Sequence, residues 1–199
     1  MNAQLKTQLE DKAPRTVYHM THVQNLPTIG RHGLLAHNNR YQQKDISNRT
    51  VNSLRHNIIE PVFNRSIHDY VPFYFNPRNA MLYKVQKEYA SNIVILEFSS
   101  EILLQDNALF TTGNAACRKT KFSNNSEELA EMNWNIIFQR SWYGYGEHVK
   151  RAMMSEVLVY QHQALNMLEA INCQTNQVAD YLNNKYNSSK FVKNTELFF

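Results

Sequence analysis

Apolar runs and alternating apolar and polar residues predict five strands along this chain. The clearest is 92–98 (NIVILEF), a nearly continuous run of β-branched and aromatic residues. Shorter patterns of the same kind predict strands over 16–20, 71–75, Glu156–Tyr160 and 170–173. Because Pro72 cannot donate a hydrogen bond to a neighbouring strand, its strand is expected at a sheet edge or to begin irregularly.

Apolar residues at helical spacing predict short helices between these strands. Asn25 is a plausible N-cap of the first helix, with Pro27 in its first turn and Gly33 at its end. Further helices are predicted over 76–85, 125–137 and 175–185. The helix over 125–137 has a capping box at its start. Strands scattered among short helices, without a regular βαβ rhythm, favour an α+β fold around a mainly antiparallel or mixed sheet.

The composition indicates one globular domain. We expect a single domain over 1–199, the whole length of the chain, with 1–14 as a loose N-terminal tail. A hydrophobic content of 43% excludes a disordered chain. No stretch is apolar for long enough to span a bilayer, and the N-terminus lacks the core of a signal peptide, so we expect a cytoplasmic protein without membrane contact. Cys117 and Cys173 have no metal-like or redox-like spacing and are expected to be free thiols.

Charge and motifs narrow the function only slightly. The net charge of +4 weakly favours a polyanionic partner such as nucleic acid. The phosphate-binding loops GxGxxG and GxxxxGK do not occur, and neither do HExxH or GxSxG. Any use of a dinucleotide must therefore lie outside the Rossmann framework, and no metal is expected.

Glu156 is the most informative candidate for chemistry. It begins an apolar strand, where a carboxylate is costly unless it is paired or used. The stretch 142–154 before it supplies cations and aromatic rings. An acid beside a basic loop could stabilise a cationic transition state next to an anionic substrate. The alternative is a salt bridge to Lys150 or Arg151.

Two other sites carry weaker signals. His19 and Thr21 lie on one face of a predicted strand, since strand side chains alternate, and both could bind a ribose or an amide. The alternative is a buried core histidine followed by a threonine cap. Arg55, in a predicted helical stretch, is either a solvated surface residue or a contact to a phosphate or base.

Cations and aromatic side chains occur together in 71–83, 113–122 and 140–151, a mixture expected of a surface that binds single-stranded nucleic acid. The alternatives are core packing for 71–83 and a solvated loop for 113–122. The residues expected to contact DNA are Arg78, Arg118, Lys119, Lys121, Trp142, Tyr143, Tyr145, His148, Lys150 and Arg151.

Four segments together resemble the DarT toxins. They are YHMTHVQNLPTIGRHGLLAHN, the stretch around Arg55, DYVPFYFNPRNAMLY and SEVLVY. The resemblance runs from about Val17 to Cys173, and TGNAACRKTKFS and QRSWYGYG follow in the family's order. The chain departs from the family where Asn79-Ala80 replaces a usual Ser-Pro and where Ser155 replaces an alanine.

The resemblance implies a DNA ADP-ribosyltransferase fold, a split β-sheet with flanking helices that binds NAD in a cleft between the sheets. It implies that Glu156 and Arg55 are catalytic, and that 37–55 folds over NAD. The implied NAD contacts are His19, Met20, Thr21, Thr28, Leu35 and Arg55. It also implies that NAD is consumed as a substrate, and that the partners are single-stranded DNA and a DarG-like macrodomain antitoxin.

The implied reaction is sequence-dependent transfer of ADP-ribose from NAD to thymidine bases of single-stranded DNA, by a toxin that blocks replication. Alternatives are ADP-ribosylation of guanine, RNA or protein by the same fold. A non-catalytic nucleic-acid-binding module is a third reading, which intact Glu156 and Arg55 oppose.

Overall fold

The computed structural model describes residues 13–41, 44–47 and 55–199. Residues 1–12 of the predicted tail 1–14 therefore lie outside the described residues. Ala13 packs against the main core. Within the described ranges, the strands in chain order are β1 Thr16–His22, β2 Leu34–Leu35, β3 Ile59–Glu60, β4 Arg65–Ser66, β5 Tyr70–Tyr74, β6 Ile93–Ser99, β7 Ala108–Thr111, β8 Phe122–Ser123, β9 Glu156–Tyr160, β10 His162–Gln163, β11 Leu168–Cys173 and β12 Phe191–Lys193. The α-helices in the same ranges are α1 Leu26–His32, α2 Ala80–Tyr89, α3 Ser126–Ala130, α4 Trp134–Ile137, α5 Glu147–Ala152 and α6 Asn176–Tyr186.

Eight of the strands form one sheet, in the order β12-β11-β6-β1-β5-β9-β7-β8. Neighbouring strands are antiparallel except β11 and β12, which are parallel. The pairs β2–β10 and β3–β4 form two small separate sheets. The expected α+β fold with a mainly antiparallel sheet is therefore confirmed, although β2, β3, β4, β7, β8, β10 and β12 were not predicted from the sequence.

The large sheet is split in its middle, between β1 and β5. These strands share a single register pair, Tyr18 opposite Tyr74, whereas β1 pairs with β6 along its whole length from Thr16 to His22. On the other side, β5 pairs with β9 from Tyr70 to Tyr74. The strands β1 and β5 therefore separate beyond their one contact, and the split predicted from the family resemblance is present.

Pro72 does not mark an edge strand, because β5 lies inside the sheet between β1 and β9. Its carbonyl oxygen points towards β1 and accepts a hydrogen bond from the side chain of His19. A residue in an antiparallel strand directs its nitrogen and its carbonyl to the same neighbour. The missing N–H of Pro72 thus faces the split, where there is no ladder to interrupt.

The helices differ from their predictions mainly in how their N-termini are capped. Asn25 makes no side-chain cap; its amide binds Thr21 and Lys44 instead. The second predicted helix begins at Ala80 rather than 76, capped by Asn79. The predicted helix over 125–137 is two short helices, α3 and α4, because Asn133 caps a new start. Gly33 ends α1 as predicted, with φ of 71°.

The core lies on both faces of the sheet. The main cluster includes Val17, Phe73, Phe98 and Val157, all completely buried. A second cluster places Leu82 and Val85 of α2 against β1 and β6. Across the described ranges, no helix has the length and apolar character needed to cross a bilayer. Both cysteines are free, as predicted.

Candidate active site

A cavity of about 490 Å³ opens along the split between β1 and β5. Its walls come from both halves of the sheet, from the start of α2, and from the segment after α1. The described parts of the predicted loop 37–55 line the cavity with every residue except Asn38 and Arg40, while 42–43 and 48–54 lie outside the described residues. The lining residues include His19, Thr21, Leu35, Lys44, Arg55, Tyr74, Lys84 and Lys150.

Glu156 lies at the first position of β9 and its side chain is 0% exposed. Its carboxylate oxygen Oε1 accepts a hydrogen bond from the backbone N–H of Ala115 at 2.8 Å. Its own N–H donates to Thr111 Oγ1 at 2.9 Å. Because the strand, Thr111 and the Ala115 amide all hold this residue, the carboxylate has a fixed position.

Arg55 is the cationic partner of this carboxylate. Its Nη1 atom lies 3.2 Å from Glu156 Oε1 and 3.0 Å from Oε2, although the two residues are 101 positions apart in sequence. The alternative salt bridge to Lys150 or Arg151 is therefore wrong for Glu156, whose partner is Arg55. Lys150 Nζ lies 3.9 Å from a carboxylate oxygen of Glu147. Burial alone would lower the pKa of Arg55, but the charge and hydrogen bonds of Glu156 raise it above its usual value. Arg55 is thus held in its cationic form.

His19 and Thr21 both border the cavity, as expected for residues on one strand face. His19 Nδ1 lies 2.8 Å from the carbonyl oxygen of Pro72, so in the neutral ring Nδ1 carries the proton and Nε2 is left as an acceptor. Burial lowers the pKa of His19, which favours this neutral form. Thr21 Oγ1 accepts from Asn25 Nδ2 at 3.0 Å and keeps its own proton for another partner.

The other expected NAD contacts are distributed unevenly. Leu35 and Met20 border the cavity, and the Met20 side chain also packs in the second core cluster. Thr28 lies on α1 and is not among the lining residues. Its contact with NAD stays a prediction, as do the roles of the other residues.

Tyr74 and Asn25 were missed by sequence reasoning. Tyr74 lies opposite Glu156 in the β5–β9 register and borders the cavity. Burial first, and then the negative charge of Glu156, raise its pKa, so its hydroxyl stays protonated. Asn25 binds Thr21 and also both backbone groups of Lys44, at 3.0 and 2.7 Å, which fastens a wall segment to β1. The alternation within VPFYF could have singled out Tyr74, but an amide bridge such as that of Asn25 leaves no sequence signal.

The predicted DNA-contacting residues do not form one uniform patch. Lys150 borders the cavity, and Arg151 packs on Gly113, where an added Cβ would lie 2.7 Å from Arg151 Cγ. Arg78 and Trp142 belong to a separate aromatic cluster, in which burial and then the nearby Arg140 lower the pKa of Arg78. The remaining ones are exposed on the segment between β7 and β8 or around the start of α5: Arg118, Lys119, Lys121, Tyr143, Tyr145 and His148.

The basic stretch 142–154 is partly helical rather than only a loop. Residues 138–146 connect α4 to α5, and α5 then leads through a short turn into Glu156. The exposed Tyr143 and Tyr145 lie on this connection, and Tyr143 is 90% exposed. The stretch therefore presents rings to solvent immediately before the buried carboxylate.

A split antiparallel sheet, a cavity along the split and a fixed carboxylate at its edge together define an ADP-ribosyltransferase. A family model described as "ssDNA thymidine ADP-ribosyltransferase, DarT" matches residues 18–198. The chain therefore belongs to the DarT family. The expected class of enzyme, an NAD-dependent DNA ADP-ribosyltransferase, is confirmed by this membership.

Individual relatives agree with the family match. A DNA ADP-ribosyl transferase of Thermus sp. (strain 2.9) is 31% identical over 178 residues, covering 84% of this chain and 85% of the relative. A "DNA ADP-ribosyl transferase-DNA ADP-ribosyl glycohydrolase fusion protein" of Thermosipho africanus (strain H17ap60334) is 29% identical, in an alignment that covers 87% of this chain and 46% of the relative. The solved structure of Thermus sp. 2.9 DarT in complex with NAD+ has a TM-score of 0.79 and 27% identity, covering 94% of this chain and 98% of that one.

Proposed function

We propose that this protein transfers ADP-ribose from NAD to thymine bases of single-stranded DNA, depending on the sequence around the base. The transfer releases nicotinamide and, by modifying template bases, blocks replication. The observation that carries the proposal is the buried Glu156 carboxylate, fixed by Ala115 and paired with Arg55 at the edge of a cavity large enough for a ligand.

NAD would bind along the split in the sheet. His19 Nε2 can accept from, and Thr21 can donate to, the amide or ribose at the reacting end. The diphosphate needs positive charge, and Lys44, Lys84 and Lys150 border the same cavity. A solved DarT of Thermus sp. 2.9 contains NAD+, which supports NAD as the substrate consumed here.

Glu156 would act on the ribose. Breaking the bond between ribose C1′ and the nicotinamide nitrogen leaves an oxocarbenium-like centre, and a fixed carboxylate that also accepts from the 2′-hydroxyl stabilises it. Nicotinamide leaves as a neutral molecule. A thymine ring nitrogen, having lost its proton, then forms the new bond to C1′. The atoms balance with one proton released.

Arg55 would orient the reactants rather than take the thymine proton. Its pKa is raised by Glu156, so a guanidinium in this environment is an even poorer base than usual. A planar cation that already binds the carboxylate can instead hold the diphosphate or stabilise the deprotonated base. Arg55→Lys tests whether the planar fork is needed, because lysine keeps the charge but not the fork. Full activity in that variant would argue against a need for the fork.

The partners follow from the same reaction. The description of the family favours single-stranded DNA and thymidine as the acceptor. The fusion of a transferase to a DNA ADP-ribosyl glycohydrolase in Thermosipho africanus supports a reversing partner, which we propose is a macrodomain antitoxin. NAD and DNA are both present in the cytoplasm, where we propose that the reaction occurs.

The test is labelling from NAD carrying a radioactive adenylate phosphate, with separate pools of single-stranded DNA, duplex DNA, RNA and protein. We expect label on single-stranded DNA alone, and mass spectrometry of the digested product should find ADP-ribose on thymidine. Glu156→Ala should abolish the label, while Glu169→Gln, an exposed glutamate on β11, should not. Label on guanine, RNA or protein would support the second enzymatic reading, and no label on any pool a binding module.

A further inference from the structure

An aromatic platform lies beside α2. It consists of Tyr83, Trp142 and Phe199, whose ring centroids are 5.4 to 5.8 Å apart and whose planes are nearly perpendicular. The rings come from three distant parts of the chain. Aromatic rings in a fully buried core require no further explanation, but Tyr83 and Phe199 are still 40% and 38% exposed.

Two cations lie against the rings of this platform. The guanidinium carbon of Arg78 is 4.6 Å from the Phe199 centroid, and Lys87 Nζ is 4.2 Å from the Tyr83 centroid. The nearby Arg140 is neutralised by Glu196, at 2.9 Å. The platform therefore offers partly exposed rings with one cation over the Phe199 ring and another over the Tyr83 ring, a combination that suits a base joined to a phosphate.

Hydrogen bonds fix the position of Phe199 relative to α2. The amide of Gln86 on α2 donates to the carbonyl of Phe199 at 2.8 Å and accepts from its N–H at 3.1 Å. The neighbouring Phe198 is buried against α2. Tyr83 is thus presented by a helix and Phe199 is hydrogen-bonded to the same helix, so a ligand would bind at little further ordering cost.

The platform is continuous with the reaction site on both sides. Lys84, the residue after Tyr83, borders the NAD cavity, as do Ala80 and Met81 at the start of α2. Trp142 is followed directly by the exposed Tyr143 of the connection that leads to α5 and Glu156. A strand that presents one base to the cavity would pass this helix or this connection with its neighbouring nucleotides.

We propose that the platform of Tyr83, Trp142 and Phe199 stacks a base that flanks the modified base of the same single strand. Arg78 and Lys87 attract the adjoining phosphates. This rests on the proposed function and assigns Tyr83, Phe199 and Lys87 to DNA binding. Stacking tolerates any base, so the platform contributes affinity and register on the strand rather than a sequence preference.

The test is a cycle between protein variants and abasic sites. The DNA is the shortest single-stranded oligonucleotide that the wild-type protein labels, together with versions carrying one abasic site at each flanking position. Affinity is measured by fluorescence anisotropy. We expect Tyr83→Leu to weaken binding of the intact strand by about 5- to 150-fold. At one flanking position, the abasic strand should bind wild type and variant alike.

Phe199→Leu should show the same dependence at the same position, which guards against misfolding of one variant. Tyr181→Leu is the matched control, because Tyr181 is an exposed tyrosine with a lysine, Lys185, 5.6 Å from its ring, on the distant α6. An equal loss on every abasic strand would overturn the proposal, since it would mean that the platform only supports the connection. Unchanged affinity would also overturn it. Labelling of the intact strand by wild type reports separately on the proposed function.

Discussion

The pair formed by Arg55 and Glu156 predicts a large energetic coupling. The Glu156 side chain is 0% exposed and that of Arg55 is 14% exposed, with Nη1 of Arg55 within hydrogen-bond distance of both carboxylate oxygens. Unit charges about 4 Å apart at an effective dielectric constant near 20 attract by about 4 kcal/mol. Removing one partner of a buried pair typically costs about 3–5 kcal/mol, because the other charge is left uncompensated.

Arg55→Met should therefore lower the free energy of unfolding by about 3–5 kcal/mol at pH 7.5, which for a chain of this size lowers Tm by about 6–20 °C. Glu156→Gln should cost less, since Arg55 retains some solvent contact. The double variant should be more stable than the sum of the two single effects predicts, by about 3 kcal/mol. Urea unfolding followed by circular dichroism measures all four proteins.

The control for this cycle is the surface pair of Arg140 and Glu196. Its N–O distance is similar, 2.9 Å, but both side chains are 72% exposed. Arg140→Met with Glu196→Gln should give a coupling of about 1 kcal/mol or less. If the Arg55–Glu156 coupling were no larger than this surface value, the inference of a tightly coupled buried pair would be refuted.

Three further predictions concern the surroundings of the site. Burial lowers the pKa of His19, so as the pH falls the unfolded protein takes up a proton on this histidine near pH 6.5, before the folded protein does. Wild type should therefore lose more stability than His19→Gln between pH 7.5 and 5.5. Equal losses would contradict the buried neutral ring. The Glu60 carboxylate accepts hydrogen bonds from three backbone N–H groups and from the Tyr70 hydroxyl. Glu60→Gln turns an NH₂ group towards two of these donors and should lower the free energy of unfolding, measured in urea, by about 2–4 kcal/mol. A decrease below about 1 kcal/mol would contradict the role of this network. Gly33→Ala should lower Tm, because φ is +71° and the added Cβ would lie 2.6 Å from the carbonyl oxygen of Gln163. Gly30→Ala is the control and should not lower Tm, because nothing lies within 4 Å of the added Cβ. Equal effects would exclude the steric explanation.

The sequence predicted the parts of the fold that depend on neighbouring residues. The strand around 92–98 and the strand Glu156–Tyr160 are present because their apolar runs favour burial in any sheet. Local pattern also put His19 and Thr21 on one face of a strand. It did not predict that Pro72 lies inside the sheet, because that depends on where β1 and β5 separate.

The site could be predicted only in part. Glu156 stood out because a carboxylate at the start of a buried strand requires a partner, but the sequence suggested Lys150 or Arg151, which are its nearest cations along the chain. The actual partner, Arg55, is brought near by the fold from 101 positions away. Asn25 resembled a helix cap because it precedes Leu26 and Pro27, yet its amide bridges two cavity walls instead. Contacts between distant segments leave no mark in local pattern.

The central claim is that Glu156 is the residue on which transfer from NAD to single-stranded DNA depends. The most direct measurement compares wild type with Glu156→Gln, which keeps the volume and a hydrogen-bonding oxygen for Ala115, in the labelling of single-stranded DNA from radioactive NAD. NAD binding by both proteins is measured in parallel by calorimetry. The account predicts DNA labelled by wild type, and a variant that still binds NAD but transfers no label. DNA labelled equally by both proteins would contradict it.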